Sequence, residues 1–289
     1  MLQAQLTATP RQTGPGVLER AARWLKRVST PPRIQGFEFC DQSWLKGCWR
    51  EAHLDGMNFM FKLFGLHQRL HRAYGKWARE AGYAEVLDLA SGGVGHIDTL
   101  LTESRKEGVT LPRITVSDLF PDRAAFERLK AAHGERVNFI ADSVDATQPL
   151  PRAAPLLSIC SAFHHLPPDV AKKLLANATA NSNGIFIAEI FNRSVWSPFL
   201  SLPNLLILMA APFFSQRCTL KKVLISTVVP IVPMMIVFDG IISALRTYTP
   251  EEILALVPEE ARREWTWASG STRYFGIFSA PYFCGYRKR

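Results

Sequence analysis

The chain has 289 residues, 47% of them hydrophobic, which is enough to bury a substantial core and excludes a disordered or fibrous protein. A net charge of +9 favours an anionic partner, whether nucleic acid, an anionic membrane surface or a charged substrate, and charge alone does not choose among them. The five cysteines, Cys40, Cys48, Cys160, Cys218 and Cys284, form no CxxC pair and no zinc-type spacing with histidine, so the expectation is a reducing compartment and no metal.

Residues 1–16, "MLQAQLTATPRQTGPG", lack the apolar run of a signal peptide, and the expected location is cytoplasmic. Next, "VLERAARWLKRVS" sets Val17, Ala21, Trp24, Leu25 and Val28 at helical spacing, with Arg20, Arg23, Lys26 and Arg27 on the other face. Such a basic amphipathic helix suits a membrane interface or the surface of its own domain. "STPPR" breaks it, which makes 1–35 a basic arm. Residues 36–82 are mostly helical in pattern, with Gly82 as a C-cap, and their aromatic and Met content reads as a cap over a pocket or as plain core.

From residue 83 the period changes. "AEVLDLA", "RITVSDL", "VNFIAD", "LLSICSAF" and "GIFIAEIF" are short apolar runs, with helical stretches such as "GHIDTLLTESRKEG" and "DRAAFERLKAAHG" between the earlier ones. That alternation predicts an α/β fold with a parallel sheet covered on both faces. The most specific local signal is "VLDLASGGVGHIDTLL": a strand ending at Asp88, a turn with Gly92, Gly93 and Gly95, then a helix. Glycines there let a ligand approach the backbone and the helix N-terminus. The second strand ends at Asp118, placed to accept from a ribose diol, and the third at Asp142 and Ser143, placed for an adenine edge. The fourth ends at "SAFHHL" and the fifth at Glu189, so each strand delivers polar groups to the sheet's ligand-binding edge.

On these residues the sequence resembles the class I S-adenosylmethionine (SAM)-dependent methyltransferases over about 83–192 and the end of the chain. There "EWTWASGSTRYFGIFSAPYFCGYRKR" looks like the late antiparallel hairpin that closes that family's Rossmann-like sheet. The resemblance implies SAM as cofactor, with Asp88, Ala90, Gly92 and Gly93 around its methionine part, Asp118 at the ribose, Asp142 and Ser143 at the adenine, and Ser161 lining the pocket. Ala90 stands where the family usually has its first Gly and Val94 where another is frequent, so Gly93 or Gly95 serves in place of the latter. His164 and His165 are candidate general bases or pocket lining, and Glu189 is an acid at the acceptor site or on the surface. A dehydrogenase would share the turn and the following acid, but GxGxxG is absent.

Residues 194–240 then read as an insertion beside the acceptor end of the sheet. They are almost uncharged apart from "SQRCTLKK", and prolines interrupt both apolar runs. A hairpin crossing from the cytoplasm would place Arg217, Lys221 and Lys222 on the wrong side. The insertion is therefore expected to lie in one leaflet of an anionic membrane or to fold as a greasy lid over a hydrophobic small-molecule or lipid acceptor. "FDGIISALRTYTPEEIL" follows: Asp239 and Gly240 end the apolar run, and Thr249, Pro250 and Glu252 start a helix. Similar "FDG..S.LR.Y" and "D..W" segments in related methyltransferase-like sequences imply that Asp41, Trp44, Arg50, Arg246 and Tyr248 are substrate residues, with Asp239 a catalytic candidate among them; the alternative is that Asp239 and Arg246 simply pair beside a buried turn. Residues 241–289 would complete the core. Scattered cations without an aromatic-basic platform argue against nucleic acid. The alternatives are an RNA or protein methyltransferase and a membrane-attached SAM-binding regulator without turnover.

Overall fold

A computed structural model describes residues 29–65, 67–148, 150, 155–196, 199, 201–215, 217–274 and 278–288. The basic helix expected over 17–28 lies outside them. Among the described residues seven strands form one sheet: β1 (Glu85–Leu89), β2 (Arg113–Val116), β3 (Val137–Phe139), β4 (Leu156–Cys160), β5 (Gly184–Ala188), β6 (Trp265–Tyr274) and β7 (Phe278–Arg287). Their order is β3-β2-β1-β4-β5-β7-β6. β1 to β5 are parallel, and β7 returns antiparallel to β5 and pairs with β6, which is the predicted late hairpin.

The near-continuous apolar runs are explained by burial on both faces. Every residue of β4 and β5 is buried. Successive side chains alternate between two cores. Leu156 and Cys160 join Tyr74, Trp77, Ile97 and Phe126 under the helices α2 (Leu70–Ala81), α3 (Gly95–Glu107) and α4 (Arg123–His133). Leu157 and Ile159 join Leu174, Ile253 and Trp265 under α5 (Pro168–Asn181) and the short helices α9 (Pro250–Leu256) and α10 (Glu259–Glu264). The start of α9 follows its sequence signature, with Pro250 at the first turn and a reciprocal capping box between Thr249 and Glu252.

A third, smaller core unites the cap and the insertion. Ala52 of α1 (Gly47–Phe64) packs with Leu208 of α6 (Asn204–Leu208), with Ile225 in the π-helical turn that continues α7 (Leu220–Val223), and with Val232 and Ile236 of α8 (Ile231–Arg246). Gly56 permits this approach, since a Cβ there would collide with Ile236. The two segments read separately in the sequence thus build one helical unit. The boundary drawn at 240 falls inside α8, because Pro233 sits in the helix's first turn, where its missing N–H costs nothing, and Asp239 finds donors without ending the helix. No single described helix is long and apolar enough to cross a membrane. The pair Leu220–Val228 and Ile231–Arg246, bent by 61°, passes that test together by length and composition.

Candidate active site

The turn after β1 is built on a fully buried carboxylate. Asp88 accepts from Ser158 Oγ (2.5 Å) on one oxygen, and from Ser91 Oγ (2.7 Å) and His96 Nε2 (2.9 Å) on the other. Tyr74 on α2 donates in turn to Ser158 (3.0 Å). With both oxygens engaged and no exposure, Asp88 orders the turn, which is compatible with its expected place at the cofactor. Asp118 is half-buried and lies on the open side. Its two oxygens accept from the amides of Gly92 (2.7 Å) and Phe120 (2.8 Å), so the acid ending β2 is bonded to the glycine turn itself.

Gly92 has φ +51° and open space where a Cβ would stand, which leaves its backbone approachable. Ala90 (φ 54°) and Val94 (φ 57°) adopt the same left-handed region despite their side chains. Each pays about 1–2 kcal/mol for it. The other left-handed non-glycine residues among those described are Ser161 (φ 58°), at the end of β4 beside this turn, and His67 (φ 66°), whose Nε2 lies 2.8 Å from Ser161 Oγ. Such strain concentrates where a binding site over-determines the backbone. Over the turn hangs Asn58 of α1, whose side chain comes within 3.1 Å of a Cβ placed on Gly95 and 3.6 Å of one placed on Gly93.

His67 is sealed against Phe61 and His96, and burial, with a smaller push from His96, lowers its pKa to about 3. Between pH of about 6.5 and 3 the unfolded chain therefore takes up a proton that the folded one refuses. Stability is expected to fall as pH falls through that window by about 1.4 kcal/mol per pH unit from this group. Denaturant titrations of His67→Asn should show a flatter acid limb, and an unaltered slope would count against the assignment.

At the acceptor end, a 3-10 turn (Phe163–His165) follows β4 and Glu189 follows β5, the adjacent strand. His164 donates through Nδ1 to Glu189 Oε2 (2.6 Å), and its backbone amide donates to Oε1 (2.9 Å). Its Nε2 is enclosed and has no hydrogen-bond partner among the described residues. The carboxylate thus fixes the ring through one nitrogen and leaves the other as its second polar atom.

His165 faces a different network. Its Nδ1 lies 2.7 Å from Asp41 and 3.4 Å from Glu38. Arg246 Nη1 reaches the same two acids at 2.8 and 3.0 Å, and Nη2 donates to the His165 carbonyl. Burial opposes charge on Asp41, but His165 and Arg246 outweigh it and lower its pKa to about 2. Burial likewise opposes protonation of His165, and its bond to Asp41 with the charges of Glu38 and Asp41 raises it nonetheless. Donor atoms of Glu38, Cys40, Asp41 and His165 lie within 4.8 Å of one another, as metal ligands would, but the cation on both carboxylates here is Arg246 itself.

Of the predicted substrate residues, Asp41 and Arg246 therefore meet, while the others do not join them. Asp239 accepts from the amides of Phe39 and Cys40 and from His53, pinning the N-terminal segment to α8. Arg50 braces the carbonyls of Leu45 and Gln42. Trp44 is 59% exposed against Phe39, and Tyr248 donates to the Leu166 carbonyl beneath Arg33. Asp142 is exposed near Arg123, and the Ser143 hydroxyl donates to Leu119 O at the same edge of the sheet. Sequence reasoning missed Asn58, His67, Glu38 and Arg33, which the N-terminal segments bring over the sheet from far away in the chain.

No protein family and no curated protein matches the sequence. Among solved structures, the plantazolicin methyltransferase BpumL, in complex with a pentazolic desmethylPZN analog and SAH, superposes with a TM-score of 0.50 at 10% identity, over 83% of this chain and 91% of that one. With the strand order and the acid-bounded glycine turn, this decides the architecture. The chain has the class I methyltransferase fold. Two further methyltransferase-fold neighbours superpose more loosely. Magnesium protoporphyrin IX methyltransferase from Synechocystis PCC 6803 has a TM-score of 0.44 and 11% identity, over 86% of this chain and 90% of that one. An O-methyltransferase family protein from Burkholderia thailandensis has 0.46 and 18%, over 77% of this chain and 56% of that one. Within the methyltransferase fold, the turn at Gly92 lies at the C-terminal edge of the parallel strands, where open α/β sheets take their ligands.

Proposed function

We propose that the protein is a SAM-dependent methyltransferase whose acceptor is apolar and carries the nucleophile as an O–H or N–H group. The cofactor fits the residues present: an approachable backbone at Gly92, a carboxylate at the end of β2, a helix of thirteen residues whose N-terminus no side chain caps, and the polar end of β3. When bound there, SAM supplies a methyl group already activated on a sulfonium. The chain's own part is then to align the acceptor, exclude water and take the proton that the acceptor loses. Asn58 and the strained His67–Ser161 pair close over the turn, and the Arg246 network fastens the N-terminal segment beside His165.

The observation that carries the reading is the unpaired, buried His164 Nε2. Glu189 holds Nδ1–H, which leaves the Nε2 lone pair to accept the acceptor's proton as the methyl bond forms, and Glu189 stabilises the resulting imidazolium. With labelled SAM and an organic extract of membranes as acceptor source, His164→Gln should lower methyl transfer by about 10²–10⁴-fold. Glu189→Gln should lower it too, and both variants should keep the affinity for SAH. Full transfer by His164→Gln would remove the base, and loss of SAH binding would assign the pair to the fold instead.

A further inference from the structure

The helices of the insertion are apolar on both sides. On α8, Val232 and Ile236 point into the small core and Met235 is buried, yet Ile231, Met234 and Phe238, spaced by three and four, are exposed on another face. Leu220 (87% exposed), Leu224 and Val228 make a second outward row at a spacing of four. Leu206 (74%) and Phe213 extend the apolar surface along the preceding turns. A helix that is hydrophobic all round is normally enclosed by protein or lipid, and exposed apolar side chains gathered on one unit point to an interaction site.

The charge on the same unit has one sign. Residues 194–238 contain no Asp or Glu. Arg217 and Lys221 are exposed beside Leu220, whereas Lys222 is buried and paired with Asp55 (2.7 Å) and Glu51 (3.4 Å) of α1. Of the three cations expected at headgroups, Lys222 is thus corrected to a strut between insertion and cap. A second copy packed face to face would bring the two Arg217–Lys221 pairs together with no acid of the insertion to offset them. Lipid phosphates supply that charge, and acyl chains match the rest.

We propose that this face docks on an anionic membrane surface, with Leu206, Phe213, Leu220, Val228 and Met234 at the headgroup–acyl boundary and Arg217 and Lys221 among the phosphates. The insertion stays in one leaflet, because α8 is held to the cap through Asp239 and Arg246. The face rests on α1, the helix that carries Asn58 above the glycine turn. An apolar acceptor would then reach the site from the bilayer. This route rests on the methyltransferase reading, and the docking does not.

The test is co-sedimentation of the full chain with vesicles of phosphatidylcholine alone and of phosphatidylcholine mixed with phosphatidylglycerol, with SAH binding measured in parallel. The wild type should pellet with the mixed vesicles and be released in part by salt. Leu220→Ser/Val228→Ser/Met234→Ser should abolish pelleting. Arg217→Glu/Lys221→Glu should weaken it by about 30-fold or more, at about 1 kcal/mol per cation. All these side chains point to solvent, so both variants should keep their thermal transition and SAH affinity. Pelleting of the triple variant equal to wild type would place the contact elsewhere, for instance in the basic arm. A dimer in sedimentation equilibrium that the triple variant loses would show that a second copy covers the face. Either result overturns the proposal without touching the methyltransferase reading.

Discussion

Asp118→Ala should lose SAH affinity by about two to four orders of magnitude while its thermal transition stays nearly unchanged. The carboxylate joins neither hydrophobic core, and what it holds is the Gly92 amide at 2.7 Å and the Phe120 amide at 2.8 Å. Its removal therefore frees the glycine turn and deletes a charged acceptor at the position where the ribose diol would bond. Hydrogen bonds to charged groups are worth about 1.5–3 kcal/mol each, and losing two to the ribose diol gives the expected loss. Asp118→Asn retains one acceptor oxygen and should fall between. Unchanged affinity in the alanine variant would remove this acid from the cofactor site.

Arg246→Met should destabilise the fold by about 3–5 kcal/mol, the characteristic cost of stranding a buried charge. Arg246 is 2% exposed and Glu38 is fully buried, and the guanidinium also serves Asp41 and the His165 carbonyl. Adding Glu38→Gln removes the stranded charge and should recover part of the loss, as a coupled pair requires. Denaturant midpoints of wild type, the two single variants and the double variant measure this directly. A loss below about 1 kcal/mol, or strict additivity, would show that the network does not hold the N-terminal segment to the sheet.

The sheet was legible because its strands obey local rules. Runs buried on both faces stay apolar end to end, and the acids and serines that end them mark the edge where ligands bind. The Thr249–Glu252 capping box was equally local. The glycine turn was only partly legible, since alanine and valine occupy left-handed positions that sequence rules reserve for glycine, at an energetic cost that the surrounding structure sustains. The dense polar contacts were out of reach for another reason. Glu38 meets His165 and His67 meets Ser161 across roughly a hundred residues or more, and no spacing in a single sequence records such a meeting. Lys222 shows the same limit, because only the packing of the insertion on α1 tells a headgroup cation from a buried strut.

The most direct measurement is a calorimetric titration of SAH into the full chain, repeated with Asp118→Ala. The account predicts saturable one-to-one binding by the wild type and its loss in the variant. No binding by a folded wild-type chain at SAH concentrations up to about 1 mM, weaker than about −4.1 kcal/mol, would contradict it.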